Sequence, residues 1–311
     1  MAYDLITMGR VGIDLYPEES GVSLGNVKTF ARFLGGTATN VAVAAARYGH
    51  SAAVITKVGD DPFGAYVRTA LQNFGVDDAY VGTDPDLRTP IVFCELYPPD
   101  RFPLLFYREP KAPDMNLRLE DLDLGAIGAA RILWTTGTGL SDEPSRTATL
   151  GALEARAKSG ITIHDLDYRL MFWKNPEDAS NWQRRALDHV TIAIGNLEEC
   201  AVAVGEGSPS AMAQRILDHG VEVAVVKMGP AGVTAYGRDL DVSAAPVAIE
   251  VVNGLGAGDA FGGAVCHGLL EAWGWQETIA FANAAGAYVA GQLACADAMP
   301  TEEQVRRLMG G

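Results

Sequence analysis

Basic residues are scarce in this 311-residue chain: 24 Lys and Arg stand against 39 Asp and Glu, for a net charge of −15. A nucleic-acid partner or an anionic membrane surface is therefore not expected, because binding many phosphates needs a broadly basic face. Cysteine is also sparse. Cys94, Cys200, Cys266 and Cys295 include no Cys-x-x-Cys pair and sit mostly in apolar stretches, which points to buried free thiols. The five histidines, His50, His164, His189, His219 and His267, form no His-Glu-x-x-His or other close ligand pattern, so no transition metal and no histidine-based triad is assigned. No segment approaches about 18 uninterrupted apolar residues, and the opening residues lack a basic stretch followed by a long apolar run. A cytoplasmic protein is expected. No Gly-x4-Gly-Lys-Ser/Thr sequence occurs, which excludes a Walker-type phosphate loop.

What remains is the composition of a globular enzyme, 48% hydrophobic and 20% charged, with enough chain for one large core. Apolar strand-like runs (Leu5 to Met8, Ala53 to Thr56, Ile132 to Trp134, Ile161 to Ile163, Ile192 to Ile194, Val221 to Val226) alternate with helical ones at 40–48, 260–273 and 277–294. That rhythm predicts an α/β fold with a buried, mainly parallel sheet. No repeat or long linker interrupts it, so residues 1–311 read as a single domain. One stretch departs from the rhythm: Thr89 to Glu95 and Pro103 to Arg108 read as a β-hairpin, and residues 10–34 can add short strands to the same small sheet. Such an accessory sheet, built from about 10–34 and 88–113, suits a lid or an interface.

Residues 253–264, Asn-Gly-Leu-Gly-Ala-Gly-Asp-Ala-Phe-Gly-Gly-Ala, carry the most information. Gly256, Ala257 and Gly258 let backbone N–H groups approach an anion closely at the start of a helix, where partial positive charge accumulates. Asp259 follows directly and can take a proton. Donors for a migrating phosphoryl group beside a base for the attacking hydroxyl are the two needs of a kinase. The same residues would also serve a plain strand-to-helix turn with Asp259 as its cap. Further upstream, Gly35 and Gly36 allow close approach to a polyhydroxylated ligand, and Asn40 offers both a donor and an acceptor. Glu199 can hold a Mg²⁺-bound water, and Lys227 can offset triphosphate charge. A hairpin ending in Arg108 and Lys111 would bring cations to a carboxylate that neutral sugars lack; two solvated surface residues would look the same.

In order, Gly35-Gly36-Thr-Ala-Thr-Asn40 and Gly256-Ala-Gly-Asp259, with Asn196-Leu-Glu-Glu199 and Lys227-Met-Gly229-Pro-Ala-Gly232 between them, make the chain resemble the PfkB (ribokinase-like) carbohydrate kinases over nearly its full length. The resemblance implies a three-layer α/β/α fold with a small β-sheet lid, ATP and Mg²⁺ as cofactors, and a homodimer. It implies Asp259 as catalytic base and residues 256–258 as its anion hole. Asp14, read as ending the first strand, would bind sugar with Gly35, Gly36, Asn40 and Arg169; Asn196, Lys227, Gly229, Gly232 and Asn283 would bind ATP, and Glu199 would hold Mg²⁺ through water. Asp165-Leu-Asp167-Tyr-Arg169 resembles the D-x-N-x-R element of the 2-keto-3-deoxygluconate kinase branch, with Asp167 in place of the usual Asn. Thr7 to Tyr16 and Pro90 to Met115 are most similar to the branch that acts on 5-dehydro-2-deoxygluconate in myo-inositol catabolism. A sugar acid is therefore the expected substrate, with 2-keto-3-deoxygluconate, fructose or a nucleoside as alternatives within the family, and a non-catalytic sugar-binding regulator as the alternative outside it. Asn253-Gly254 stands where many relatives carry Asp-Thr; an amide contributes no full charge, so K⁺ binding is expected to be weak.

Overall fold

All four residues of strand β1 (Leu5–Met8) are buried, as a central strand covered on both faces requires. The computed structural model describes residues 2–310. After β1 come β2 (Gly12–Pro17), β3 (Phe30–Gly35), α1 (Thr37–Arg47), β4 (Ala52–Gly59), α2 (Pro62–Asn73), β5 (Val76–Asp77), β6 (Val81–Asp84), β7 (Ile91–Cys94) and β8 (Leu104–Tyr107). They are followed by α3 (Leu124–Ala129), β9 (Ile132–Thr136), α4 (Ser145–Arg156), β10 (Ile161–Asp165), α5 (Pro176–Leu187), β11 (Ile192–Asn196), α6 (Leu197–Val204), α7 (Pro209–Leu217) and β12 (Val223–Lys227). The chain then forms β13 (Val233–Gly237), β14 (Leu240–Ala244), α8 (Ala257–Leu270), α9 (Trp275–Ala290) and α10 (Glu302–Gly310).

The large sheet runs β14-β13-β12-β11-β10-β9-β1-β4-β5, with β6 also on β4. It is parallel from β12 to β5 and antiparallel only across β12, β13 and β14. Successive strand residues alternate between two cores, since side chains point to opposite faces with period two. Leu5, Ile132, Trp134 and Val225 join α1, α8 and α9 on one face; Ile6, Leu133, Ala224 and Val226 join α4 to α7 on the other. The expected three-layer α/β/α architecture is present. The hairpin residues form antiparallel β7 and β8, and β2 and β3 complete a separate sheet in the order β3-β2-β7-β8.

Three boundaries differ from the sequence reading in ways that matter. Helix α8 starts at Ala257, which puts Asp259 inside its first turn. Helix α1 starts at Thr37, so Asn40 lies one turn in. Asp14 does not end the first strand; it lies within β2, in the small sheet.

Helix α8 reaches both α1 and the sheet because it carries glycine where it touches them. A Cβ on Gly263 would lie 2.3 Å from Ala44 Cβ, and one on Gly262 would lie 2.4 Å from the Trp134 ring. The indole belongs to a fully buried β9 residue and has no free space to retreat into. We therefore predict that Gly262→Ala destabilises the protein by about 1–3 kcal/mol through overpacking, although alanine in a helix interior is worth about 1 kcal/mol more than glycine. Urea unfolding measures this, and an unchanged or raised midpoint would show that the α8–β9 contact is looser than described.

Candidate active site

The parallel strands end on one edge, and the loops leaving them enclose a cleft against the small sheet. Ligands of open α/β sheets bind at this carboxyl edge. On one wall, Gly256 adopts φ +79° as the N-cap of α8, and no side chain caps the helix. A Cβ there would meet Cys295 Sγ at 2.7 Å, so glycine is required twice over. The carboxylate of Asp259 turns away from the helix terminus and accepts a hydrogen bond of 2.7 Å from Asn40 Nδ2. This disposes of the reading of Asp259 as a cap. Burial pushes its carboxyl up to about 7, even though the Asn40 bond pulls the other way. Asn40 Oδ1 is buried on the cleft lining and has no partner among the described residues, leaving an acceptor for a ligand hydroxyl.

The strand ends supply the charges. Arg10, two residues beyond β1, donates from Nη2 to Asp167 Oδ2 at 2.8 Å and to Thr37 Oγ1 at 2.9 Å, and from Nε to Thr138 Oγ1 at 2.9 Å. Asp167 also accepts from Thr138 and Thr37 and lies 3.3 Å from Arg169 Nη2. Burial alone would raise the Asp167 carboxyl, but the Arg169 and Arg10 guanidinium groups hold it well below the carboxylate range. The replacement of Asn by Asp at 167 is thus matched by a cation the sequence reading did not select. Its available signal was position, just past the end of a central parallel strand. Arg169 itself lines the cleft and stays about a third exposed.

At the end of β10, burial pushes Asp165 up to about 8 despite Lys227 nearby. Lys227, at the end of β12, makes no ion pair within 4.0 Å among the described residues, and its Nζ would lie 3.4 Å from a Cβ on Gly258. A free ammonium beside a helix N-terminus is an anion site in waiting. Asn196 and Glu199 cap α6 reciprocally: Glu199 N donates to Asn196 Oδ1 at 2.9 Å, and Asn196 N donates to Glu199 Oε2 at 2.7 Å. The second Glu199 oxygen lies 3.9 Å from Arg169 Nη1, so the carboxylate can serve a hydrated cation but is already committed on one side.

The small sheet forms the opposite wall. Asp14 accepts from Tyr16 Oη at 2.7 Å, and burial raises its carboxyl to about 6. A Cβ on Gly35 would fall 2.1 Å from Asp14 Oδ1. Gly36 adopts φ +105°, and a Cβ on it would fall 2.3 Å from the Arg10 carbonyl oxygen. Arg108 lines the cleft, ion-paired to buried Asp114 and stacked 5.3 Å above Phe172. Lys111 does not line the cleft; it pairs with Asp142 at 2.9 Å and donates to the Glu143 carbonyl. Gly229, Gly232 and Asn283 lie outside the cleft lining as well. Gly232 packs against the Ala244 carbonyl, and Asn283 Nδ2 donates to the neighbouring Ala245 carbonyl at 2.7 Å. Asn253 is fully buried, with its amide donating to the Leu293 carbonyl and accepting from Leu255 N.

The arrangement offers a base ionising near neutrality, backbone donors at an uncapped helix start and a free ammonium, the components of phosphoryl transfer to a hydroxyl. Comparisons with known proteins agree. A 5-dehydro-2-deoxygluconokinase of Photobacterium profundum is 35% identical over 308 residues, covering 96% of this chain and 92% of the relative. One from Clostridium beijerinckii is 32% identical, covering 98% and 92%. Among solved structures, the fructokinase of Vibrio cholerae O395 in a form binding fructose, ADP and calcium superposes with a TM-score of 0.86 at 26% identity, covering 99% of each chain. A double mutant of the same enzyme was solved with fructose, ADP and potassium ion. The family model described as pfkB family carbohydrate kinase matches residues 3–302, and the chain belongs to that family.

Proposed function

We propose that this kinase transfers the γ-phosphoryl group of ATP to the terminal hydroxyl of a sugar acid, 5-dehydro-2-deoxy-D-gluconate, giving the 6-phosphate in myo-inositol catabolism. The observation that carries the chemistry is Asp259, raised to about 7 and held by Asn40 at the uncapped start of α8. The substrate rests on the names of the relatives above and on the cationic side chains of Arg10, Arg108 and Arg169 in the cleft. Asp259 takes the proton of the attacking hydroxyl while the N–H groups of 256–258, with Arg169, face the charge on the transferred group. ATP supplies that group, and Mg²⁺, when bound, would neutralise charge on its oxygens. Asn196, Lys227, Gly229, Gly232 and Asn283 are the proposed nucleotide side. Glu199, with one oxygen engaged by its cap, is suited to a Mg²⁺-bound water rather than to direct ligation. Asp14, Gly35, Gly36 and Asn40 are the proposed sugar side, together with Arg108; Lys111, already paired to Asp142, has the weakest geometric support.

On this reading residues 1–311 act as one kinase domain whose small sheet is a lid, and a homodimer through that sheet agrees with the exposure of Leu105 and Tyr107 on β8, 47% and 61%. A buried Asn253 whose amide is used internally supports weak K⁺ dependence.

Asp259→Asn is expected to lower turnover about 10²- to 10⁴-fold without loss of fold or ATP binding, and wild-type kcat/KM should fall as pH drops below about 7, where the carboxylate gains its proton. The sign of the stability effect is distinctive. A carboxyl raised in the folded state penalises folding above its ordinary range, so the Asn variant should melt higher than wild type at pH 8, with the difference vanishing near pH 4. Wild-type turnover in the variant would remove Asp259 as the base.

Arg108→Ala is predicted to raise KM for an acid sugar far more than for fructose. Because its partner Asp114 is left buried, both substrates are compared on the same variant; equal effects would sink the carboxylate argument.

The deciding assay is ADP release with Mg-ATP across 5-dehydro-2-deoxygluconate, 2-keto-3-deoxygluconate, fructose, ribose and adenosine, with and without K⁺. Selective turnover of the first is expected, changing little with K⁺. Preference for a neutral sugar would overturn the substrate, and silence on all with tight sugar binding would favour a regulator.

A further inference from the structure

Helix α8 has a second group of chemically active side chains, at the end opposite Asp259. His50 lies in the turn between α1 and β4, His267 in the last turn of α8, and Glu271 at its C-cap. His267 and Glu271 are four residues apart and so share a helix face. The linear sequence shows no ligand spacing here because His50 arrives from a distant turn. Each of the three offers one ligand atom, and these atoms lie within 4.8 Å of one another. His50 Nε2 faces His267 Nδ1 at 2.7 Å, so two neutral imidazoles share a single proton along that line.

We propose that His50, His267 and Glu271 bind a divalent transition metal ion of the Zn²⁺ type, which takes the place of the shared proton. Two imidazole nitrogens, one carboxylate oxygen and a water make a tetrahedral zinc donor set. Nitrogens bonded to one such ion at about 2.0–2.1 Å stand about 3.4 Å apart, so ligation asks the half-buried His50 to withdraw by less than ~1 Å. A second observation supports the assignment. Among the described residues His267 Nε2 is buried without a hydrogen-bond partner, and the Glu302 carboxylate lies 3.6 Å from it. With the ion on Nδ1, Nε2 must carry the hydrogen, and Glu302 is the nearby outer carboxylate of the kind that typically orients a metal-bound histidine. The ring is already held, stacked on Tyr48 at 4.7 Å between centroids and edge-on to Trp273 at 4.8 Å. Glu271, Glu302 and Asp4 add negative charge around the pair, against Arg131 and Arg306.

The test is equilibrium dialysis of the full, tag-free chain against Zn²⁺ with excess Mg²⁺ present, and titration with Co²⁺ followed by visible absorption. The expected result is one equivalent of Zn²⁺ per chain and a tetrahedral Co²⁺ spectrum that Zn²⁺ abolishes. His50→Gln and Glu271→Gln should each lose the equivalent and the spectrum, and Glu302→Gln should weaken binding about 10-fold. His50 and Glu271 are used because His267 is packed among aromatic rings and its loss can unfold the helix end. Absence of bound Zn²⁺ in the folded wild type, or undiminished binding by His50→Gln, would overturn the proposal.

Discussion

Arg10 and Asp167 meet at 2.8 Å with less than a tenth of either side chain exposed, and four segments of the chain close around them. Removing two charges from water costs several kcal/mol per ion, and the hydrogen bonds around the pair offset that cost. Asp167 takes hydrogen bonds from Arg10, Thr37 and Thr138 and faces Arg169, while Arg10 spans Thr37, Thr138 and Asp167. The ends of β1, β9 and β10 are thereby fixed to the first turn of α1. Asn40 lies in that turn's wake, and its amide reaches Asp259. A buried ion pair thus sets the register between the sheet edge and the candidate base. Loss of one partner would cost about 3–5 kcal/mol and would be felt first in that alignment.

Around this satisfied pair the other carboxylates are under strain of a different kind. Asp14, Asp165 and Asp259 are all raised by burial, to about 6, 8 and 7, and Lys227 offsets this only in part, at Asp165. A fold selected for stability alone would pair or remove such groups. Their presence together on one cleft is the pattern of a functional site, where perturbed ionisable groups cluster.

Much of the architecture was legible in the sequence because its signals are local. Buried parallel strands read as short apolar runs, and the small-residue loop before Asp259 stood out without any partner. Boundaries were less legible: α8 begins three residues earlier than its apolar run, since Ala257 and Gly258 carry no periodic signal. Contacts between distant segments were not legible at all. Nothing in Gly9-Arg10-Val11 announces that Arg10 will neutralise Asp167, and nothing near Asn40 announces that its amide will hold Asp259. Lys111 is the complementary case. A charge on a hairpin has no direction in a sequence, and in the structure Asp142 and the Glu143 carbonyl claim it.

Helix α8 connects these observations. Its 14 residues span roughly 20 Å, and its backbone dipole makes the two ends electrically unlike. At the positive end stand Gly256, Ala257 and Gly258, where uncapped N–H groups favour an anion. At the negative end stand His50, His267 and Glu271, where a cation is favoured by the same field. Between them Gly262 and Gly263 let the helix lie directly on Trp134 and Ala44, so the rod cannot tilt without unpacking two contacts. Fixing the far end, whether by the shared imidazole proton or by a dication, therefore restrains the near end, where a shift of about 1 Å in a reacting group can cost about 100-fold in rate.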